Sequence, residues 1–152
     1  MKLTSSVFEH NKEIPTVYTC DGSDTNPPFT IDDVPDTAVS LALIMEDPDV
    51  PAHVREDRMW DHWLVWNIPP ETNVILEGYE PPGVHGTGTS GNRIYHGPCP
   101  PDGAHRYMFK LYALDTILSL SEGASKTELL AAMEGHIIDT NELVGIYTRA
   151  RV

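Results

Sequence analysis

The chain has 152 residues, of which 40% are hydrophobic and 22% are charged. This length suits one domain with a single core, residues 1–152, and is short for two domains. With 23 acidic and 10 basic residues the formal net charge is −13, and the Lys and Arg residues are scattered singly apart from Arg149 and Arg151. This charge repels phosphate backbones and anionic membrane surfaces, so we expect no nucleic-acid partner.

The N-terminal segment MKLTSSVFEHNKEIP has no apolar stretch typical of an export signal. No later segment approaches the ~18 unbroken apolar residues of a membrane span. We therefore expect a cytoplasmic protein without membrane insertion. Cys20 and Cys99 could form one disulfide, but cytosolic thiols are normally reduced, so we expect two packing residues; whether Cys20 reaches Cys99 is left open.

Three short runs of aliphatic and aromatic residues predict strands at 39–45, 62–68 and 107–114. The third run alternates, with one face made of Tyr107, Phe109, Leu111 and Ala113. Between the second and third runs, residues 73–105 carry seven of the eleven glycines and five of the thirteen prolines. Such a long, breaker-rich stretch in a compact domain favours an ordered functional loop.

One helix is predicted near the C-terminus. Ser125 and Glu128 have the spacing of a capping box, and Gly135 is placed to end the helix. Its apolar stripe would consist of Leu129, Leu130 and Met133. A last strand follows at about 143–148. Short strands separated by turns, with one late helix, predict a fold dominated by β-structure: an antiparallel β-sandwich with a single helix in its C-terminal half.

Polar side chains flank the three central strands. Asp47 and Asp49 follow the first strand in the stretch MEDPDVPAH, His62 opens the second, and His105 precedes the third. If these strand ends lie at one rim of the sheet, two carboxylates and two imidazoles converge there. Aromatic walls would come from Trp60, Tyr95 and Tyr107, and the rim would be stiffened by Pro48, Pro51, Pro98, Pro100 and Pro101.

These segments carry a resemblance to a known family. DPDVP followed by WDHWLVWNIP, and then YHGPCPPDGAHRYMFKLYALD, resemble the two signature regions of the phosphatidylethanolamine-binding protein family, which includes Raf kinase inhibitor protein. IPTVYTCDGSDTNPPF resembles the family's opening, and SKTELLAAMEGHIIDTNELVGIYTR resembles the end of its shorter bacterial and archaeal branch. Two segments depart from the pattern: FTIDDVP, and HVREDR, which lengthens the link to Trp60.

The resemblance implies an antiparallel β-sandwich with a small anion site for phosphate, phosphorylethanolamine or acetate. It implies that this site is lined by Asp47, Asp49, Trp60, His62, Gly97, Pro100, Pro101, His105 and Tyr107, to which we add the rim residue Pro51 and the aromatic wall residue Tyr95. It further implies a regulatory binding protein that inhibits a kinase or a serine protease. On this interpretation we expect no catalytic residue, no metal and no cofactor.

The residue types suggest how an anion could be held. An Asp beside an imidazole stabilises an imidazolium, which could donate one N–H to the Asp and the other to a phosphate oxygen. The second Asp could accept the ammonium of an ethanolamine group beside the face of Trp60. We further predict a cis Val50–Pro51 bond in the turn after Asp49. A homodimer is expected because Trp66, Tyr79 and Tyr147 could exceed what one small core buries.

Two alternatives remain. The same Asp and His residues could serve an Asp/His-based or metal-dependent hydrolase acting on a phosphorylated small molecule. Against catalysis, the sequence has no GxSxG elbow, no HExxH motif and no Cys evidently paired with a base. The third possibility is an interaction protein in which these residues form only a hydrogen-bonded rim.

Overall fold

The structure is a computed structural model that describes residues 1–150. Its elements are β1 (Lys2–Thr4), β2 (Lys12–Glu13), β3 (Phe29–Asp32), β4 (Ser40–Asp47), β5 (Trp60–Ile68), β6 (Val74–Ile75), β7 (Val84–His85), β8 (Ala104–Leu114), α1 (Lys126–Met133) and β9 (Ile137–Thr148). A short 3₁₀ turn covers Thr16–Tyr18. The predicted strands and the predicted helix are all present, and the breaker-rich stretch contains the two short strands β6 and β7.

The strands form two sheets. The smaller has the order β1-β3-β6, and the larger has the order β2-β9-β8-β4-β5-β7. Every pairing is antiparallel except that of β2 with β9. The expected β-dominated sandwich is confirmed. Because β4 lies between β8 and β5, the end of β4 is adjacent to the beginnings of both neighbours.

The main core lies between the two sheets. The predicted alternation of β8 is confirmed, because its residues Tyr107, Phe109, Leu111 and Ala113 are all 0% exposed and belong to this core. A second, smaller core covers the opposite face of the large sheet beneath α1 and includes Ala42, Ile44, Leu64, Trp66, Leu129 and Met133. Strand β4 is therefore buried on both faces, which explains its nearly continuous apolar run.

The capping box predicted for α1 is present. The Ser125 hydroxyl accepts the Glu128 backbone N–H at 3.2 Å, and a Glu128 carboxylate oxygen accepts the Ser125 backbone N–H at 3.1 Å. Gly135 follows the helix with φ +81°, a conformation that glycine adopts without steric cost. Leu129 and Met133 are buried, but Leu130 is 43% exposed, so the apolar stripe is narrower than predicted.

A buried charge network fixes α1 to the large sheet. Lys126, the first residue of α1, lies 2.6 Å from Glu46 and 2.6 Å from Asp61, and Lys110 lies 2.5 Å from the other Glu46 oxygen. Burial opposes ionisation of Glu46, but the two lysines outweigh it and lower the pKa of this carboxyl group. The network therefore sets the position of α1 over the ends of β4 and β5.

The expectation of reduced cysteines was wrong. Cys20 and Cys99 form a disulfide with a Cα–Cα distance of 5.4 Å, although 79 positions separate them in the sequence. The 3₁₀ turn at Thr16–Tyr18 places Cys20 against the breaker-rich stretch, whose Pro98 carbonyl accepts the Cys20 N–H at 3.1 Å. The disulfide therefore joins the N-terminal region to the predicted functional loop.

The basis for expecting a homodimer is weaker than the sequence indicated. Trp66 and Tyr147 are 0% and 3% exposed, so one core does bury both, whereas Tyr79 is 68% exposed. A homodimer stays a prediction. Among residues 1–150, none of the helices has the length and apolar character needed to cross a membrane.

We predict that Ser125→Ala lowers the free energy of unfolding by about 1 kcal/mol, because it removes the capping hydroxyl of α1. Urea denaturation followed by circular dichroism measures this. Ser121→Ala, an exposed serine before the helix, is the matched control and should change stability little. Equal losses in both variants would contradict a specific role for the cap.

Candidate functional site

Three strand ends meet at one rim of the large sheet. Asp47 at the end of β4 pairs with Trp60 at the start of β5, and β8 begins beside them on the other side of β4. Asp47 and Trp60 face the inner side, while Glu46 and Asp61 face α1. A β-bulge in β5, opposite Met45 and Glu46, interrupts the alternation and turns His62 to the inner side as well. The inner side of this rim contains a cavity.

The cavity has a volume of about 240 Å³ and mostly apolar walls. Its lining residues are Asp47, Val50, Val54, Trp60, His62, His96, Cys99, Pro100, Pro101 and Tyr107. Six of these belong to the set predicted from the sequence. The other predicted residues, namely Asp49, Pro51, Tyr95, Gly97 and His105, lie around the cavity without lining it.

His62 is neutral and has a fixed tautomer. Its Nδ1 lies 2.6 Å from the backbone carbonyl of His96, and since a carbonyl can only accept, Nδ1 carries the proton. Burial lowers the pKa of His62 to about 4. The remaining nitrogen, Nε2, makes no hydrogen bond within residues 1–150 and is an acceptor in this tautomer. His62 therefore offers the cavity a lone pair and no positive charge.

His105 is held between two carboxylates. Its Nδ1 lies 2.7 Å from Asp47 Oδ2, and its Nε2 lies 3.0 Å from Asp102 Oδ1. Burial opposes the charge on His105, but the hydrogen bonds to Asp47 and Asp102 outweigh it and raise its pKa. The predicted imidazolium beside an Asp is therefore His105. Its second N–H, however, faces Asp102 where the sequence interpretation expected a phosphate oxygen.

Tyr107 contributes a polar group without a partner. Its side chain is 0% exposed to solvent, and its buried hydroxyl makes no hydrogen bond of ordinary geometry in the described part of the chain, although the Asp47 carboxylate is near enough to act on it by weak hydrogen bonding and by charge. Burial, together with the nearby carboxylate of Asp47, raises the pKa of Tyr107 well above its usual value. The hydroxyl therefore stays protonated and can donate a hydrogen bond. The ring meets His62 edge to face, with the ring centroids 5.3 Å apart.

The turn after β4 differs from the prediction in two ways. No peptide bond is cis among residues 1–150, so the predicted cis Val50–Pro51 bond is wrong. The chain reverses because Asp47 Oδ1 accepts the Asp49 backbone N–H at 2.7 Å, which closes a side-chain turn. Pro51 has a trans peptide bond, and its carbonyl oxygen accepts the backbone N–H groups of Val54 and Arg55.

Asp49 is engaged outside the cavity. Its two oxygens accept both the Nε–H and an Nη–H of Arg106, at 3.0 and 2.8 Å, and the Arg106 backbone N–H at 2.8 Å. The Arg106 side chain holds the pKa of Asp49 below its usual value. In this structure Arg106 contacts both oxygens of Asp49, and Asp49 does not line the cavity. Binding of a ligand ammonium by Asp49 stays a prediction to which this geometry adds no support.

Gly97 and Tyr95 support the cavity wall from behind. A Cβ on Gly97 would meet Asp24 Oδ1 at 2.3 Å and the Tyr18 carbonyl at 2.4 Å, so only glycine permits this approach. The Gly97 N–H donates to the same Asp24 oxygen at 2.8 Å. The Tyr95 hydroxyl donates to the Tyr18 carbonyl at 2.7 Å, and the Tyr95 ring packs edge to face on Trp63.

Four cavity residues were not predicted: Val50, Val54, His96 and Cys99. His96 and Cys99 belong to the quoted YHGPCPP segment, so their position beside predicted residues was an available signal. Val50 and Val54 flank Pro51, but valines in a turn carry no chemical signal of a site. Within residues 1–150, no three or more His, Cys, Asp or Glu side chains are grouped so that they could hold a metal ion.

The family model described as phosphatidylethanolamine-binding protein matches residues 4–148. The chain belongs to this family. A UPF0098 protein of Chlamydia muridarum is 50% identical over 147 residues, which cover 97% of this chain and 98% of the relative. These matches confirm the resemblance inferred from the sequence motifs.

Two solved structures show the same fold. A phosphatidylethanolamine-binding protein homologue from Chlamydia trachomatis superimposes with a TM-score of 0.95 at 49% identity, and the match covers 97% of each chain. E. coli YbcL, described as a member of the mammalian family, gives a TM-score of 0.87 at 27% identity and covers 98% of each chain. The whole described fold is therefore shared with these proteins.

We predict that buried His62 makes the fold sensitive to acid. Its pKa is about 4 in the folded protein, below the ordinary value of 6.5. The stability that depends on the neutral form of His62 is therefore fully present above pH 6.5. This stability is lost as the pH falls towards 4, with about 2 kcal/mol lost between pH 7 and pH 5. Urea denaturation at both pH values should show that His62→Gln loses less stability than the wild-type protein on acidification.

His53→Gln is the control for this measurement, because His53 is exposed and lies outside the cavity lining. It should keep the acid sensitivity of the wild-type protein. If His62→Gln and wild type lose the same free energy between pH 7 and pH 5, His62 is not held neutral by burial.

Proposed function

We propose that this protein binds a small oxyanion in the cavity, a phosphate-type head group such as phosphorylethanolamine, inorganic phosphate or acetate. The observation that carries the proposal is the buried Tyr107 hydroxyl, which lines the cavity and makes no hydrogen bond of ordinary geometry within residues 1–150, although the Asp47 carboxylate lies near it. An unpaired buried polar group costs about 1–3 kcal/mol. An oxyanion seated in the cavity would supply the missing acceptor.

The polar groups of the cavity favour an oxyanion that still carries a proton. Tyr107 is the donor, whereas Asp47 and the neutral His62 are acceptors. A phosphate monoester monoanion has both an O–H, which can donate to Asp47 or His62, and free oxygens, which can accept from Tyr107. A dianion has no such proton and would place a second negative charge beside Asp47. The apolar walls would strengthen this discrimination.

We propose further that ligand binding in this cavity serves regulation of a kinase or a serine protease. Family membership supports this proposal, because the chain belongs to the phosphatidylethanolamine-binding protein family over residues 4–148. A phosphorylated side chain of the partner has the chemistry that the cavity accepts. Inhibition of the partner that survives His62→Gln and Tyr107→Phe would place the inhibitory surface elsewhere.

We predict that Tyr107→Phe weakens phosphorylethanolamine binding about tenfold or more, because a hydrogen bond to a charged ligand is lost. The variant should keep or slightly gain stability without ligand, since the hydroxyl it removes makes no hydrogen bond of ordinary geometry within residues 1–150. Calorimetric titration measures the affinity and urea denaturation the stability. Tyr112→Phe, on the opposite face of β8, is the matched control and should bind as wild type does. Unchanged binding by Tyr107→Phe would overturn the proposed role of this hydroxyl.

We predict that phosphorylethanolamine binds best in mildly acidic solution. Its affinity should fall up to about tenfold per pH unit above the second phosphate pKa of about 6, because the donated proton is lost there. His62 would contribute little to this change, since its pKa of about 4 lies below the range tested. Titrations between pH 5 and pH 8 test the prediction.

Glycerophosphorylethanolamine is the ligand control for this titration. As a phosphodiester it keeps one negative charge and no second titrating proton across the same pH range. Its binding should be weaker at pH 5 and nearly independent of pH. If both ligands show the same pH dependence, the titrating group belongs to the protein. If phosphorylethanolamine binds more tightly above pH 6, the proposal that the ligand binds in its protonated form is wrong.

A further inference from the structure

We propose that the Cys20–Cys99 disulfide is a redox site at the cavity rim, which a small or protein dithiol opens and thereby releases the wall segment 99–103. The location of Cys99 is the first observation. Cys99 lines the cavity and is exposed, and its partner Cys20 is partly exposed. A reductant can therefore reach the bond from solvent, unlike a disulfide enclosed in a core.

The wall segment 99–103 depends on this bond because its backbone makes few other links. Pro100 and Pro101 have no N–H, and within residues 1–150 no backbone hydrogen bond is made by residues 99–103. Apart from the disulfide, the polar side-chain contact of this segment within residues 1–150 joins Asp102 Oδ1 to His105 Nε2, 3.0 Å apart. Asp102 is mostly exposed, with 66% of its side chain accessible.

The residues just before this segment have independent links. The Tyr95 hydroxyl donates to the Tyr18 carbonyl, the Gly97 N–H donates to Asp24, and the Cys20 N–H donates to the Pro98 carbonyl. These hydrogen bonds do not involve sulfur and remain after reduction. Opening the disulfide therefore frees residues 99–103 locally, while the sheets and the 95–98 stretch stay in place.

The chemistry is thiol–disulfide exchange with a dithiol as the two-electron reductant. One thiolate of the dithiol attacks the sulfur of Cys99, the more exposed residue of the pair, the S–S bond breaks, and Cys20 leaves as a thiolate that takes up a proton. The second thiol of the reductant then attacks the mixed disulfide. Cys99 is released as a thiol, and the reductant leaves oxidised to its own disulfide.

Release of the segment removes part of the cavity. Pro100 and Pro101 line it, and Asp102 holds the outer nitrogen of His105. The reduced protein therefore has a more open and less ordered cavity wall. The consequence for ligand affinity rests on the proposed function, whereas the release of the segment does not.

The experiment compares oxidised and reduced protein by ¹⁵N nuclear magnetic relaxation, thiol titration and calorimetry with phosphorylethanolamine. Dithiothreitol or a thioredoxin-type dithiol protein should reduce the native protein, yielding two titratable thiols without loss of the β-sheet circular dichroism signal. The backbone order parameters of Cys99, Asp102 and Gly103 should fall from about 0.85, the value of rigid backbone, to below about 0.6, with β4, β5 and β8 unchanged. Phosphorylethanolamine affinity should fall at least fivefold, and reoxidation should reverse all three changes.

The double variant Cys20→Ser/Cys99→Ser should have the mobility and affinity of the reduced protein, and adding the dithiol should not change either. If this variant folds poorly, reversible reduction of the wild-type protein tests the proposal without it. The proposal is overturned if the disulfide resists reduction until the protein unfolds, or if reduction leaves the order parameters of residues 99–103 unchanged. If neither form binds phosphorylethanolamine, the proposed function fails, and the relaxation measurement still decides the redox site. Binding equal in both forms despite greater mobility of the segment would overturn the link between the disulfide and the cavity.

Discussion

The candidate site depends on the alternation of side chains at the end of β4. Glu46 and Asp47 are neighbours in the chain but point to opposite faces of the sheet, and both are nearly buried. Each carboxylate needs its own compensation, because a buried charge without a partner is strongly destabilising. Glu46 obtains it from Lys110 and Lys126 on the helix side, which lower its pKa. His105 on the inner side offsets only part of the burial of Asp47, so the pKa of Asp47 is raised. The same two residues thereby fix α1 on one face and the cavity on the other.

The inner face has an unusual balance of charge for an oxyanion site. His105 is the histidine in which a positive charge is favoured, since its pKa is raised, but it lies behind Asp47 with both of its ring nitrogens hydrogen-bonded. His62 lines the cavity but is kept neutral by burial and by the His96 carbonyl. Recognition would therefore rest on hydrogen bonds in an apolar enclosure more than on a cation, which is why the protonation state of the ligand matters.

The proline-rich wall segment 99–103 is held in place without regular secondary structure. Proline restricts the backbone but removes the N–H groups that normally attach a loop to its surroundings. In this chain a disulfide, an ion pair and a glycine that permits close approach hold the wall instead. A wall attached in this way can be released by chemistry at one bond, whereas a strand in the same place would be held by many hydrogen bonds.

The sequence by itself determined the features that depend on neighbouring residues. The alternation in 107–114, the capping box of Ser125 and Glu128 and the polar residues at three strand ends are all local patterns, and they were sufficient for the fold and for six of the ten cavity residues. The family motifs identified the fold as that of the phosphatidylethanolamine-binding proteins, since the spacing between the motifs reflects the strand order that these proteins share.

Only the tertiary structure decided which partner each polar group takes. Asp49 binds Arg106, the outer nitrogen of His105 faces Asp102, and Nδ1 of His62 donates to the His96 carbonyl. The pairing of Cys20 with Cys99 likewise joins residues 79 positions apart. A residue type specifies what a group can donate or accept, but its partner depends on distance and direction after the strands and loops have packed. For that reason the sequence indicated where the site lies, and the fold determined its charge.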